Sequence, residues 1–259
     1  MNAFQNIRFG LARRGLAGAA ALAVLASTSV AAQEALVFGN PDYFCRNGAF
    51  PGGGEYAGEH PVFKRARVTA RKGGAQVHFL KDYAANESQP GCPSSENAQC
   101  LGNSYLVPGD EVILSKTLRG FACAWYQPRH GHETVGWLPL SDIEVIEPDQ
   151  HPPIKAWIGT WKYWDDTLTL QRDADGESLR VKGRAYWPAR NLPPFHSGEV
   201  TGSARPERNL LVLENKDAPA EFRCQVRLSL VGPLLVVSDN RKCGGANVSF
   251  DGVYVRQGR

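Results

Sequence analysis

Beyond residue 32 the sequence has no net charge, no apolar run long enough for a membrane-spanning helix and no CxxC pair. Each absence removes a class of function. Of the 29 Lys and Arg residues, Arg8, Arg13 and Arg14 precede residue 33, leaving 26 against 26 Asp and Glu. A balanced chain offers no electrostatic footprint for nucleic acid or an anionic membrane. Without CxxC or paired Cys/His spacing there is neither a zinc ribbon nor a thiol-redox motif. Signatures of catalysis are missing too: there is no Gly-x-Ser-x-Gly elbow, no HExxH and no phosphate loop. Pro51-Gly52-Gly53-Gly54 has neither the spacing nor the following helix of a phosphate loop. Asp165-Asp166 on one strand would point to opposite faces and could not flank one bond. No cofactor is expected.

The composition that remains is that of a globular chain, 42% hydrophobic and 21% charged over 259 residues, with room for one or two domains. Gly 27 and Pro 17 make it rich in turns and poor in long helices. Collagen-like, coiled-coil and wholly disordered chains are excluded.

Residues 1–32 combine a basic start, an apolar stretch from Leu16 to Ala26 and Val30-Ala31-Ala32 before Gln33. This is the layout of a secretory signal peptide, with cleavage expected before Gln33. The apolar stretch is shorter than the roughly 20 residues a spanning helix needs. The residues after Arg13-Arg14 do not continue a folded-export signal, so the Sec route is expected, with a periplasmic or secreted product and no integral membrane segment after cleavage.

Six cysteines, all beyond the signal, read as disulfides in an exported chain. The proline-rich stretch 147–154 reads as a linker and leaves Cys224 and Cys243 as the natural C-terminal pair. The short polar loop from Cys92 to Cys100 could be closed on itself, which would leave Cys45 to Cys123.

Two all-β halves flank that linker. Residues 33–60 read as an irregular arm held by Cys45, and 61–146 as a small β domain. Its strand-like runs are Ala66–Ala70, Gln76–Leu80, Glu111–Ser115, Phe121–Tyr126 and Val135–Leu138, separated by turns such as Arg119-Gly120. Residues 155–259 carry eight further runs: Trp157–Trp164, Thr167–Gln171, Leu179–Trp187, Glu199–Gly202, Leu210–Glu214, Phe222–Leu230, Leu234–Ser238 and Val248–Val255. That count suits an antiparallel barrel that closes its own edges.

Three segments carry a resemblance: Tyr105-Leu-Val-Pro-Gly-Asp-Glu-Val-Ile-Leu, the strand from Gly120, and Val135-Gly-Trp-Leu-Pro139 leading into Ser141-Asp-Ile143. Together they resemble a bacterial SH3-like domain, in which a tight turn after the Gly-Trp-Leu-Pro step precedes a short strand that closes the barrel. This sequence departs from that pattern by a long cysteine-bearing loop from Asn86 to Asn103. Gly159-Thr160-Trp161 resembles the Gly-x-Trp opening of lipocalin- and avidin-like barrels. The stretch Asp239–Tyr254 resembles the end of exported proteobacterial proteins that pair these two halves and have no assigned activity. The fold expected is therefore all-β, a small SH3-like barrel followed by a second antiparallel barrel of about eight strands.

All six tryptophans lie between residues 125 and 187. Tyr105, Trp125, Tyr126 and Trp137 are candidates for the aromatic groove through which SH3-like domains hold peptides or cell-wall fragments. Trp157, Trp161, Trp164 and Trp187 are candidates for one mouth of the barrel, although rings fill cores and domain contacts more often. Phe222, Cys224, Val226, Leu228 and Leu230 share one strand face. Arg223 and Arg227 point the other way and, if the strands were neighbours, would join Arg180, Lys182 and Arg184; a face neutralised by nearby acids is the favoured reading. His130-Gly131-His132-Glu133 and the Asp173–Glu177 segment look faintly metal-binding, yet loops and turns account for both. The expectation is a non-enzymatic binding or inhibitor protein for a cell-wall fragment, peptide or envelope protein. An envelope hydrolase targeted by its SH3-like domain, or a carrier of a small apolar ligand, are the alternatives.

Overall fold

Alternating apolar and polar residues separated by turn chemistry build the whole molecule from strands. The computed structural model describes residues 45, 63–69, 75–82, 91–128, 133–147, 149–188, 190–191 and 193–258. The first sheet contains β1 (Lys64–Val68), β2 (Val77–Leu80), β3 (Leu101–Leu106), β4 (Glu111–Leu118), β5 (Phe121–Tyr126), β6 (Thr134–Pro139) and β7 (Ile143–Ile146). The second follows a single helical turn, α1 (Ile154–Trp157). It contains β8 (Gly159–Tyr163), β9 (Asp166–Arg172), β10 (Leu179–Trp187), β11 (His196–Ala204), β12 (Leu210–Glu214), β13 (Gln225–Val231), β14 (Leu234–Asp239) and β15 (Gly252–Arg256).

The first sheet runs β3-β2-β6-β5-β4-β1-β7, antiparallel throughout. β4 and β5 are joined by Arg119-Gly120, whose φ values of 49° and 87° form the left-handed turn that matches strand twist. β1 bonds both β4 and β7, and a 3-10 turn at Leu140–Asp142 carries the chain from β6 into β7. The sequence showed no strand signal at β3. Its Leu101-Gly-Asn-Ser-Tyr stretch lacks clean alternation, and it is ordered as an edge by pairing with β2 directly after the Cys92–Cys100 bridge.

The second sheet runs β11-β10-β9-β8-β15-β14-β13-β12 and curls into a nearly closed eight-stranded barrel. Each of the eight runs expected from the sequence overlaps one of these strands, though Trp157 lies in α1 and Val248–Asp251 precede β15. Its inside is filled by side chains: Trp157, Trp161, Leu168, Leu170, Leu179, Val181, Leu211, Val226, Leu228, Leu235, Phe250 and Tyr254 are buried together. Packing is close: a Cβ at Gly183 would crowd Leu168 Cδ2 and Val200 Cγ1, so those side chains would have to shift to admit it.

The disulfides are Cys45–Cys123, Cys92–Cys100 and Cys224–Cys243. Cys45, Leu80, Ile113, Cys123, Trp125 and Trp137 of the first half share one buried cluster with Val231, Val236 and Val253 of the barrel. Both sheets lie in one compact unit.

One sequence expectation needs correction, and one alternative is not met. Phe222 does not continue the inward face of β13; the strand starts at Gln225, and Phe222 sits in a preceding 3-10 turn, 69% exposed. Nor do the cations of β10 and β13 share one patch. In sheet order β9, β8, β15 and β14 lie between those strands, and Arg180, Arg184 and Arg223 pair with Asp173, Glu199 and Glu214, the neutralised face the sequence favoured.

Candidate functional site

The structure divides the eight aromatic candidates by burial. Trp137 is fully buried and Trp125 nearly so; both belong to the cluster between the two halves, where they cannot line an open groove. The Trp137 indole N–H donates to Asp82 Oδ1 at 2.7 Å, and the same oxygen accepts the Cys45 N–H at 2.6 Å. Tyr126 is half-buried and its hydroxyl reaches Asp110 at 3.5 Å. Tyr105 alone of this group is open, on edge strand β3 beside His78. The four residues thus do not meet in one groove.

Trp157 and Trp161 fill the barrel at the end where α1 enters. The Trp161 indole N–H donates to the Trp157 carbonyl at 2.8 Å, and the Arg256 guanidinium caps the Trp161 ring at 4.6 Å. Trp164 and Trp187 differ: they are 56% and 43% exposed. Antiparallel pairing of β9 with β10, which sets Arg184 opposite Thr167, carries Trp187 to the level of the Trp164-Asp165 turn. The two rings therefore crown the same end of the sheet.

Residues around them stiffen this end. Trp187 pairs with His196 across β10 and β11, and their rings stack at 6.3 Å. Tyr186 meets Phe195 edge-on at 5.7 Å, and the Arg190 guanidinium lies 5.8 Å from the centre of the Tyr186 ring. Phe195 is 44% exposed. The Arg190 and Tyr186 N–H groups donate to Asp165 Oδ2 at 3.2 Å and Asp166 Oδ1 at 2.9 Å. The connection between β10 and β11 also contains Pro188, Pro193 and Pro194, which restrict its backbone. Phe195 was missed because it falls outside every strand run, and only an exposed ring in a proline-rich connection could have flagged it.

Beneath this end lie three carboxylates. Asp239 accepts the N–H groups of Arg241 and Phe250, each at 2.6 Å, and Asp251 accepts the N–H of Asp239 at 2.7 Å. Burial, with the nearby Asp165 and Asp239 charges, pushes the Asp166 carboxyl up to about 7. Burial and Asp239 raise Asp251 as well, against the opposing pull of Arg241 at 2.8 Å. The hydrogen bonds of this group fasten the 240–251 loop to the barrel and tie the end of β10 to β9.

Among the described residues no group of three His, Cys, Asp or Glu is placed to hold a metal ion. His130 and His132 lie outside the described residues. The Asp173–Glu177 segment is a turn in which Asp175 accepts the N–H groups of Glu177 and Ser178, and Asp173 accepts those of Ala174 and Arg180.

What this arrangement offers chemically is a set of fixed, exposed ring faces with a cation and an imidazole alongside. Such a surface stacks on sugars or flat groups and buries apolar side chains. No family model, no curated protein and no solved structure matches the chain.

Proposed function

We propose that the chain is a non-enzymatic, exported binding or inhibitor protein that contacts a cell-wall fragment, peptide or envelope protein through the aromatic end of its barrel. The observation that carries this reading is the exposure of Trp164, Trp187 and Phe195 at a place where neighbouring groups hold the backbone still. Soluble proteins leave few large rings in water unless a partner covers them. Three disulfides favour an oxidising compartment. The tight turn at Leu140–Asp142 and the closing strand β7 support reading the first half as a bacterial SH3-like domain, and buried Trp161 after Gly159 supports a lipocalin-like second half. The filled barrel axis argues against a carrier of small apolar molecules.

Co-sedimentation with purified peptidoglycan and pull-down from periplasmic extract, each run with wild type and with a Trp164→Ala/Trp187→Ala variant, tests the reading. Retention lost in the variant supports it; retention by neither material, or equal retention of both proteins, overturns it.

The raised Asp166 carboxyl favours a second reading, an envelope hydrolase, because a carboxylic acid protonated near neutrality is suited to act as a general acid. Zymography on cell-wall substrate discriminates: clearing that vanishes in Asp166→Asn would establish the hydrolase and displace the binding protein.

A further inference from the structure

Below Trp164 the outer face of the barrel meets the first half, and a cavity of about 300 Å³ opens between the β5–β6 connection and strands β8 and β15. Gln127, one residue past β5, and Glu133, one residue before β6, line it from the first half. Lys162, Trp164, Val253 and Val255 line it from the barrel. Neither half makes this groove alone. Its size is at the low end for ligand pockets, which suits one or two small rings and excludes a folded partner.

Trp164 is placed there against local preference. Tyr163 and Asp166 pair across β8 and β9, so Trp164 and Asp165 form a two-residue connection. Trp164 stands in it at φ 52°. That conformation favours glycine, asparagine or aspartate, and it strains a side chain as bulky as indole. Burial does not account for the choice, since Trp164 is 56% exposed. An exposed ring kept in a strained turn points to a ligand that it contacts.

The rest of the lining is polar around an apolar floor. Trp161 and Tyr254 fill the barrel, so their strand neighbours Lys162, Val253 and Val255 face outward. Lys162 is paired with Val255 in register, and Val253 is buried in the cluster shared with the first half. The side chains of Lys162 and Gln127 make no hydrogen bond or ion pair with another described residue. β8 and β15 bond each other and also β9 and β14, so no strand edge is open at the floor. An extended peptide would find no main-chain partners there.

The groove offers instead a flat indole, two valines, and an amide, a carboxylate and an ammonium around them. A pyranose ring complements that set, because its C–H face stacks on an aromatic ring while its edge hydroxyls both donate and accept. An acetamido substituent adds a methyl group for the valines and an N–H for Glu133. We infer, resting on the reading of the aromatic end as a binding surface, that this groove is a sugar subsite which takes an acetamido-bearing pyranose of a glycan chain, stacked on Trp164.

The probe is triacetylchitotriose, a trimer of N-acetylglucosamine, titrated by calorimetry and by NMR of the Trp164 indole N–H in the full chain. Maltotriose, which lacks the acetamido group, and a short Ala-Glu-Lys-Ala peptide are run beside it. The acetylated trimer is expected to shift the Trp164 resonance and to bind about fivefold more tightly than maltotriose, the worth of one buried methyl group. Trp164→Asn, which suits the turn, should weaken binding about tenfold while the thermal midpoint stays no lower than that of wild type. Gln127→Ala and Lys162→Ala, one in each half, should each weaken binding about threefold. These two variants decide the matter if Trp164→Asn fails to fold. Phe222→Ser, which removes an exposed ring outside the groove, should leave binding unchanged. No sugar binding, equal binding of maltotriose, binding unaltered by the groove variants, or binding of the peptide in place of the sugar would overturn the inference. Retention of an envelope protein that is lost in the Trp164→Ala/Trp187→Ala variant, with no sugar bound, would overturn it and leave the reading of the aromatic end intact, whereas failure of both assays would overturn both.

Discussion

The Trp137 indole N–H and the Asp82 carboxylate meet at 2.7 Å, and the same Oδ1 also holds the backbone of Cys45. One carboxylate thus ties β6, the end of β2 and a disulfide-bonded half-cystine together at the contact between the two halves. Trp137→Phe removes the donor and, because phenyl is smaller than the fully buried indole, also leaves a void. A hydrogen bond to a charged group is worth about 2 kcal/mol, so denaturant unfolding should show a loss of at least that size. Asp82→Ala, which releases both donors, should likewise lower stability by at least that much.

Asp166 provides a pH test. Its folded carboxyl titrates near 7, raised chiefly by burial, whereas the unfolded one titrates near the ordinary value of 3.8. The fold therefore binds the proton more tightly than the unfolded chain does. Its contribution is complete below about pH 4, falls as pH rises toward 7, and is constant above that. Asp166→Asn keeps the acceptor for the Tyr186 N–H and abolishes the titration. Thermal melts should show the variant gaining stability over wild type at pH 8, by up to about 4 kcal/mol for a shift of that size, with little gain at pH 4.

Gly183 tests how fully the barrel is packed. A methyl group there meets Leu168 at 2.4 Å and Val200 at 2.7 Å. Overpacking of a filled core costs about 2 kcal/mol, and Gly183→Ala should lower the unfolding midpoint accordingly. Unchanged stability would mean that the interior has slack, and would revive a ligand cavity.

Cys224–Cys243 closes a loop with a sequence separation of 19. Loop-closure entropy for that length amounts to about 3 kcal/mol. The double variant Cys224→Ser/Cys243→Ser should lose that much, and exchange should quicken first at Gly245 and Val248, which the bridge holds against β11.

Local signals made much of this fold legible. Val226, Leu228 and Leu230 alternate with polar residues because one face of β13 is buried and the other is not, and Arg119-Gly120 announced its turn because glycine readily takes the conformation required there. β3 was opaque because Leu101, Asn103 and Tyr105 are all exposed on an edge, so no periodic burial marks them. Phe222 misled because alternation continues in the sequence past the point where the strand begins.

The aromatic site was legible only in part. Trp157, Trp161, Trp164 and Trp187 look equivalent as residues, yet register sends the first two into the core and the last two to the rim. Composition, turn chemistry and cysteine arithmetic are local or pairwise properties, so the sequence by itself determined an all-β, three-disulfide chain and the number of barrel strands. Which rings face water, and that β11 and β12 end the sheet order with no ladder joining them, was decided by tertiary structure alone. Both depend on how distant strands are placed around a closed curve, and no short window of sequence carries that information.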